Sequence, residues 1–119
     1  MKILAPVNHV SEVEPLERAG ASELYCGLMR AETVKEYTNV FSLNSRHTSE
    51  ANIASHEDLE ELTRKAHSLG MKVFITYNAL YPDDQFRTLT GELADSVACG
   101  VDGVIAADIS LMKHLREKH

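Results

Sequence analysis

The sequence predicts an α/β fold made of four successive βα units around a parallel sheet, half of a TIM-type (βα)8 barrel. Three observations carry this reading. Short apolar runs rich in β-branched and aromatic residues recur at Ala21 to Gly27, Met71 to Asn78 and Gly103 to Ala107. Just ahead of each stands a glycine, Gly20, Gly70 or Gly100, placed to stop an amphipathic segment. Each run then ends in polar residues. This repeating order of helix, glycine, strand and polar tip specifies a parallel sheet with helices packed on it.

Taken in order, Lys2 to Val7 is an apolar run whose Pro6 confines the ladder near its end, which predicts a first strand with Asn8 and His9 at its tip. Ser11 is a candidate N-cap, Pro15 fits only a first turn, and Leu16, Ala19 and Gly20 supply an apolar edge and a stop, so a short helix follows. Ala21 to Gly27 is the second strand. From about Leu28 to Ala54 the chain enters its longest irregular stretch, which its mixed composition marks as an ordered loop with small local elements. Ser55-His56-Glu57-Asp58 has capping-box spacing, and Leu59, Leu62, Ala66 and Leu69 follow at helical intervals. After the third strand, Pro82 and Asp83 open a helix with Phe86, Leu89, Leu93 and Val97 on one face, its dipole complemented by Asp83 and Asp84. A fourth strand ends at Asp108, and Ser110 can cap a last helix carrying Leu111, Met112 and Leu115. Right-handed crossovers leave two arrangements for such units, an open flavodoxin-like sheet or half of an eight-fold barrel, and strand order separates them. Pro6-Val7-Asn8-His9 lacks the glycines of a phosphate-cradling turn, which favours the barrel half.

With 119 residues, 44% of them hydrophobic and 25% charged, the chain has room for a single domain over residues 1–119 with a real core. A net charge of -6 argues against direct nucleic-acid or anionic-membrane binding, since phosphate affinity comes from clustered Lys and Arg. Two distant cysteines, Cys26 and Cys99, form neither a disulfide framework nor a metal-ligand motif, and a reduced, cytoplasmic setting is expected. No signal peptide and no run near the roughly 18 apolar residues of a membrane span is visible.

Several stretches occur in one order: Leu4-Ala5-Pro6, Arg18-Ala19-Gly20-Ala21 to Leu24-Tyr25-Cys26-Gly27, Asn44-Ser45-Arg46-His47 leading to Asn52, Val73 to Asn78, and Gly100-Val101-Asp102-Gly103-Val104-Ile105 to Asp108. Together they resemble the N-terminal part of the peptidase U-32 family, the collagenase-like proteases. The resemblance implies a TIM-type barrel in proteins several times longer, described as peptidases, with relatives that look like hydroxylation factors for tRNA or a quinone precursor. It also implies an iron–sulfur cluster in some longer members. The cysteine-containing signature of the family lies in a later region, and Cys26 and Cys99 do not stand in for it, so no cofactor is expected in this chain. The first loop departs from the Pro-Ala-Gly-Asn pattern of the family.

Ligands of parallel βα sheets meet the carboxyl ends of the strands. Those tips carry Asn8, His9, Tyr25, Cys26, Thr76, Asn78 and Asp108. Asn78 can hold a ligand carbonyl or amide, or satisfy loop backbone. Asp108 can serve as base or cation ligand, or cap the last helix. On the long loop, Asn44, Arg46 and His47 form a polar trio that can fold across an open barrel end, with Arg46 gripping an anionic group in a fork; the plainer reading is an exposed ion pair. His9 and His47 have the unperturbed range of a general base, yet an isolated histidine more often packs or faces solvent. Cys26 and Cys99 read as packing residues, and His56, His67, His114 and His119 as solvated. No Ser-His-Asp order with a nucleophile elbow and no His-Glu-x-x-His occurs, so no protease mechanism follows from the residues.

Two functions from different classes remain at this point. The first is the N-terminal portion of a U-32 protein, inactive alone, contributing strand tips and loops to a site that the rest of the barrel or a second copy completes. The second is a complete small binding or regulatory α/β domain, able to self-associate, that takes a peptide or small molecule.

Overall fold

The computed structural model describes residues 1–31 and 51–118. Strand β1 spans Leu4–Pro6, followed by a 3-10 turn at Val10–Glu12 and helix α1 at Val13–Arg18. Strand β2 spans Glu23–Cys26, and helix α2 spans His56–Ser68. Strand β3 spans Lys72–Tyr77, and a 3-10 turn at Asp83–Gln85 leads into helix α3 at Phe86–Ala98. Strand β4 at Gly103–Ala106 and helix α4 at Ile109–Lys118 complete the series. The sheet has four parallel strands in the order β1-β2-β3-β4. A nucleotide-binding open sheet would place its first strand between later ones. The sequential order is that of half a βα barrel, and among the described residues β1 and β4 each have one strand neighbour.

The predicted strands are present, trimmed at their ends by one or two residues. Helices end where the sequence indicated: Gly20, Gly70 and Gly100 have φ of 99°, 73° and 85°, the left-handed region that L side chains disfavour. One cap falls elsewhere than predicted, and at the last helix one of the two candidates takes the role. His9, not Ser11, opens the first turn: its Nδ1 accepts the Ser11 N–H at 3.2 Å, and Glu12 Oε2 accepts the backbone N–H of Asn8 at 2.7 Å and His9 at 3.2 Å. The chain turns two residues earlier than expected because His9 offers an acceptor there. At the last helix Asp108, not Ser110, supplies the cap. Its Oδ1 accepts the N–H groups of Ser110 at 2.8 Å and Leu111 at 3.1 Å. Ser55 does cap α2, accepting the Asp58 N–H at 3.1 Å.

One face of the sheet is closed by the helices. Leu24, Cys26, Val73, Ile75 and Tyr77 point into that layer and are buried with Leu59, Leu62, Ala66, Leu89, Leu93 and Leu111. Alternate residues face the other way. There Tyr25 lies opposite Phe74, and Phe74 opposite Gly103, in register. A Cβ on Gly103 would stand 2.8 Å from Cδ1 and 2.9 Å from Cε1 of Phe74, so glycine makes room for the ring. At the amino end of this face Glu23 lies opposite Lys72 and pairs with Lys2 at 3.1 Å. Past Cys26 the chain adds one more rung beside the sheet, a parallel bridge from Leu28 to Ile53. Among the described residues no helix is long and apolar enough to cross a membrane.

Candidate functional site

The carboxyl ends of the strands gather the β1, β3 and β4 tips on one end of the sheet. At the β1 tip, Asn8 and His9 line a small cleft of about 120 Å³ with Val10, Ile53, Asp58 and Glu61. His9 is exposed, with its ring nitrogen committed to Ser11, whose hydroxyl also lies 2.8 Å from Nδ1. Asn8 is half-buried, and its backbone N–H donates to Glu12 Oε2.

At the β3 and β4 tips a shared carboxylate organises the loops. Tyr77 lies opposite Ala106 in register, so Asn78 stands one residue and Asp108 two residues past the ends of neighbouring strands. Asp108 turns Oδ1 to the first turn of α4 and accepts the Tyr81 N–H on Oδ2 at 3.3 Å. One side chain thereby fixes two tip loops. The phenol of Tyr81 is half-buried, and burial pushes it well above the ordinary tyrosine range, with the Asp108 charge adding to the rise. Asn78 is partly buried and has an interaction partner. Thr76, the last inward-facing strand residue, is buried and donates its hydroxyl to the Cys26 carbonyl at 3.0 Å.

Thus Asn78 and Asp108 lie beyond the carboxyl ends of neighbouring strands, and His9 lies two strands away. Asn44, Arg46 and His47 lie outside the described residues. Cys26 is fully buried with Sγ 3.9 Å from the Phe74 carbonyl, a packing role. Cys99 closes α3 with Sγ 3.4 Å from the His56 carbonyl and 3.3 Å from that of Asp95, and burial together with nearby carboxylates raises its thiol. A cubane or two-iron cluster takes several converging thiolates. The chain has two cysteines, one at the carboxyl end of β2 and the other at the opposite end of the layer, after α3, and this pair does not fit such a cluster. Among the described residues no group of three or more His, Cys, Asp or Glu is positioned for a metal ion.

Three histidines read as solvated are instead engaged. His67 Nε2 lies 2.8 Å from Asp102 Oδ2, His56 Nε2 lies 3.8 Å from Glu92 Oε2, and His114 meets Phe86 edge-on at 5.9 Å between ring centroids. Glu92 also binds Arg30 at 2.9 Å, tying the segment after β2 to the middle of α3. These partnerships span large sequence separations, and no local pattern announces them. His119 lies outside the described residues.

Comparison with known proteins places these features in a family. The model of peptidase family U32 matches residues 8–119. The chain is also similar to the 23S rRNA 5-hydroxycytidine C2501 synthase of Escherichia coli (strain K12), with 32% identity over 59 residues. That match takes in 50% of this chain and 9% of the relative, so the chain spans only a small part of the length of that protein. No solved structure matches it significantly. A family match over nearly the whole chain, carried by the same βα units that the sheet displays, gives the conclusion: this chain belongs to peptidase family U32.

Proposed function

We propose that this chain is half of a U32-type barrel whose strand tips form part of a substrate site completed by further strands, and that the site serves hydroxylation of an RNA base rather than peptide hydrolysis. One observation carries the choice. Two of the titratable tip residues cap helical turns, His9 through Nδ1 and Asp108 through Oδ1, an arrangement suited to holding loops rather than to activating a water or a nucleophile. Similarity to a protein named as an rRNA hydroxycytidine synthase supports a nucleobase as the substrate class.

On this reading Asn78 is the binding residue, since a carboxamide can both donate to and accept from the edge of a base. Asp108 and Tyr81 hold the loop that presents it. With a net charge of -6, the chain contributes little to phosphate affinity. That affinity, and the reacting centre, come from the strands that complete the barrel, and the chain alone is inactive. The test compares nucleosides digested from ribosomal and transfer RNA of cells with and without the protein. Loss of one nucleoside carrying an added oxygen, restored by re-expression, is expected. An unchanged nucleoside profile accompanied by a lost peptide-cleavage activity would overturn the proposal.

A further inference from the structure

The chain contains one Asp-Gly step, Asp102-Gly103, and it falls at the entry of β4. A glycine after aspartate lacks the side chain that shields a backbone nitrogen, so that nitrogen can close on the preceding carboxyl carbon. Folding holds the step shut from both sides. The Asp102 carboxylate is drawn across to β3, where Oδ2 accepts the Val73 N–H and meets His67 Nε2, each at 2.8 Å. Gly103 is paired opposite Phe74, whose ring fills the space where a Cβ would stand. Turning the Gly103 nitrogen onto the carboxyl carbon therefore means releasing the carboxylate and lifting the glycine from under that ring. Ionisation adds to the protection. Burial opposes the charge, but the Val73 N–H and His67 hold the Asp102 carboxyl below its ordinary value, and a carboxylate has no hydroxyl to lose as water. The guard is only partly enclosed. The side chains of His67 and Asp102 are 43% and 28% exposed, so this contact opens without unfolding the sheet.

We propose that Asp102-Gly103 is a site of spontaneous isoaspartate formation, latched by Val73 and His67, and that its isomerisation is how β4 ages. The Gly103 nitrogen attacks Cγ of the protonated Asp102 carboxyl, an N–C bond forms, and the proton of the nitrogen leaves with the carboxyl hydroxyl as water. One water then opens the five-membered succinimide. Opening at the Cγ carbonyl restores aspartate, and opening at the main-chain carbonyl sends the chain through Cγ. The sum is an isomerisation at constant mass with no other reagent. The product carries one more carbon in its backbone and its carboxylate on Cα, so Val73 and His67 lose their acceptor and the β3–β4 pairing loosens.

This inference is independent of the choice of substrate. The test incubates the native protein, either folded or held unfolded in guanidinium chloride. Peptide mapping then quantifies the isomer, which has the mass of the parent peptide but elutes apart and fragments differently under electron transfer. The folded protein is expected to accumulate isoaspartate at residue 102 at least about tenfold more slowly than the unfolded one. His67 is exposed in the last turn of α2, so His67→Ala should keep the parental circular dichroism spectrum. The same variant is expected to form the isomer at least about threefold faster than the folded parent. Ser96→Ala, which weakens the buried contact between β3 and α3 and leaves the latch in place, is expected to keep the parental rate. Equal rates in the folded and unfolded protein would overturn the proposal. So would a parental rate in His67→Ala, or an acceleration by Ser96→Ala as large as that by His67→Ala.

Discussion

The carboxylate of Asp102 accepts the backbone N–H of Val73 at 2.8 Å while the N–H of Asp102 donates to the Val73 carbonyl at 2.7 Å. This two-way clasp fixes the entry of β4 against β3, one step before the paired rungs begin, and His67 from the end of α2 closes on the same carboxylate oxygen. Helix, strand and turn are thereby locked at the amino end of the sheet, opposite the candidate site. Replacing Asp102 with Ala should cost about 1–3 kcal/mol, the cost of leaving a partly buried N–H without its charged acceptor. Asp102→Asn, which keeps an acceptor oxygen, should cost less. Urea unfolding of the variants measures both.

The same residue makes stability acid-sensitive. Burial opposes its charge, but the Val73 N–H and then His67 outweigh that effect and hold its carboxyl below the ordinary value of 3.8. A depressed folded-state value means that the unfolded chain binds the proton more readily. The stabilisation is therefore complete above the ordinary value and is lost as pH falls toward the lower folded one. Between pH 5 and pH 2 the Asp102→Ala variant should lose stability less steeply than the parent chain. Parallel slopes in denaturation at stepped pH would contradict this.

Tyr77 and Ser96 form a buried hydroxyl pair at 3.0 Å between β3 and α3. Burial raises the Tyr77 phenol far above its usual range, so it stays a neutral hydrogen-bonding group. Ser96→Ala strands the phenol and should cost about 1–3 kcal/mol, whereas the double variant Tyr77→Phe with Ser96→Ala should recover much of that loss. Thermal unfolding of the full cycle tests the asymmetry.

Gly103 is matched to Phe74 across the inner face. Gly103→Ala pushes a methyl into the ring and should destabilise by about 1–3 kcal/mol. Adding Phe74→Leu should relieve part of the clash, so the two changes should be strongly non-additive. Additive effects would mean that the ring moves aside freely.

Much of this fold is legible in the chain because its signals are local. The period of Leu59, Leu62 and Ala66 before Gly70, and the run Val73 to Tyr77 after it, place a helix, a stop and a strand without reference to anything distant. Caps are less legible, since His9 and Ser11, and likewise Asp108 and Ser110, stand two residues apart as alternative caps, and the residue at which the backbone turns helical decides which of them serves. Strand order, and pairs such as Asp102 with Val73 or Arg30 with Glu92, depend on residues far apart in the chain and leave no periodic trace. The Gly100-Val101-Asp102-Gly103 stretch contributed to the family resemblance, and its structural meaning came only with the clasp and the Phe74 contact. At the site, the cap alternative for Asp108 was readable from its position before a helix. Its grip on the Tyr81 loop was not.

Asp108 offers a direct contrast between holding and reacting. As a cap it should lose about 1 kcal/mol on Asp108→Ala and regain part of it on Asp108→Asn, because asparagine caps nearly as well but offers no second oxygen to the Tyr81 N–H. The Asn variant should keep the level of the RNA modification, where a general base would lose it.

The central claim, that the carboxyl end of the half barrel builds the substrate site, is tested most directly by the modified-nucleoside content of RNA from cells carrying Asn78→Ala or Lys72→Ala in the native protein. Asn78 follows the carboxyl end of β3, and the exposed Lys72 begins the same strand at the other end. With both variants accumulating to parental levels, the account predicts that Asn78→Ala depletes one hydroxylated nucleoside at least about tenfold, as loss of a base-edge hydrogen bond implies, while Lys72→Ala leaves it unchanged. Equal effects from the two ends, or none from Asn78→Ala, would contradict it.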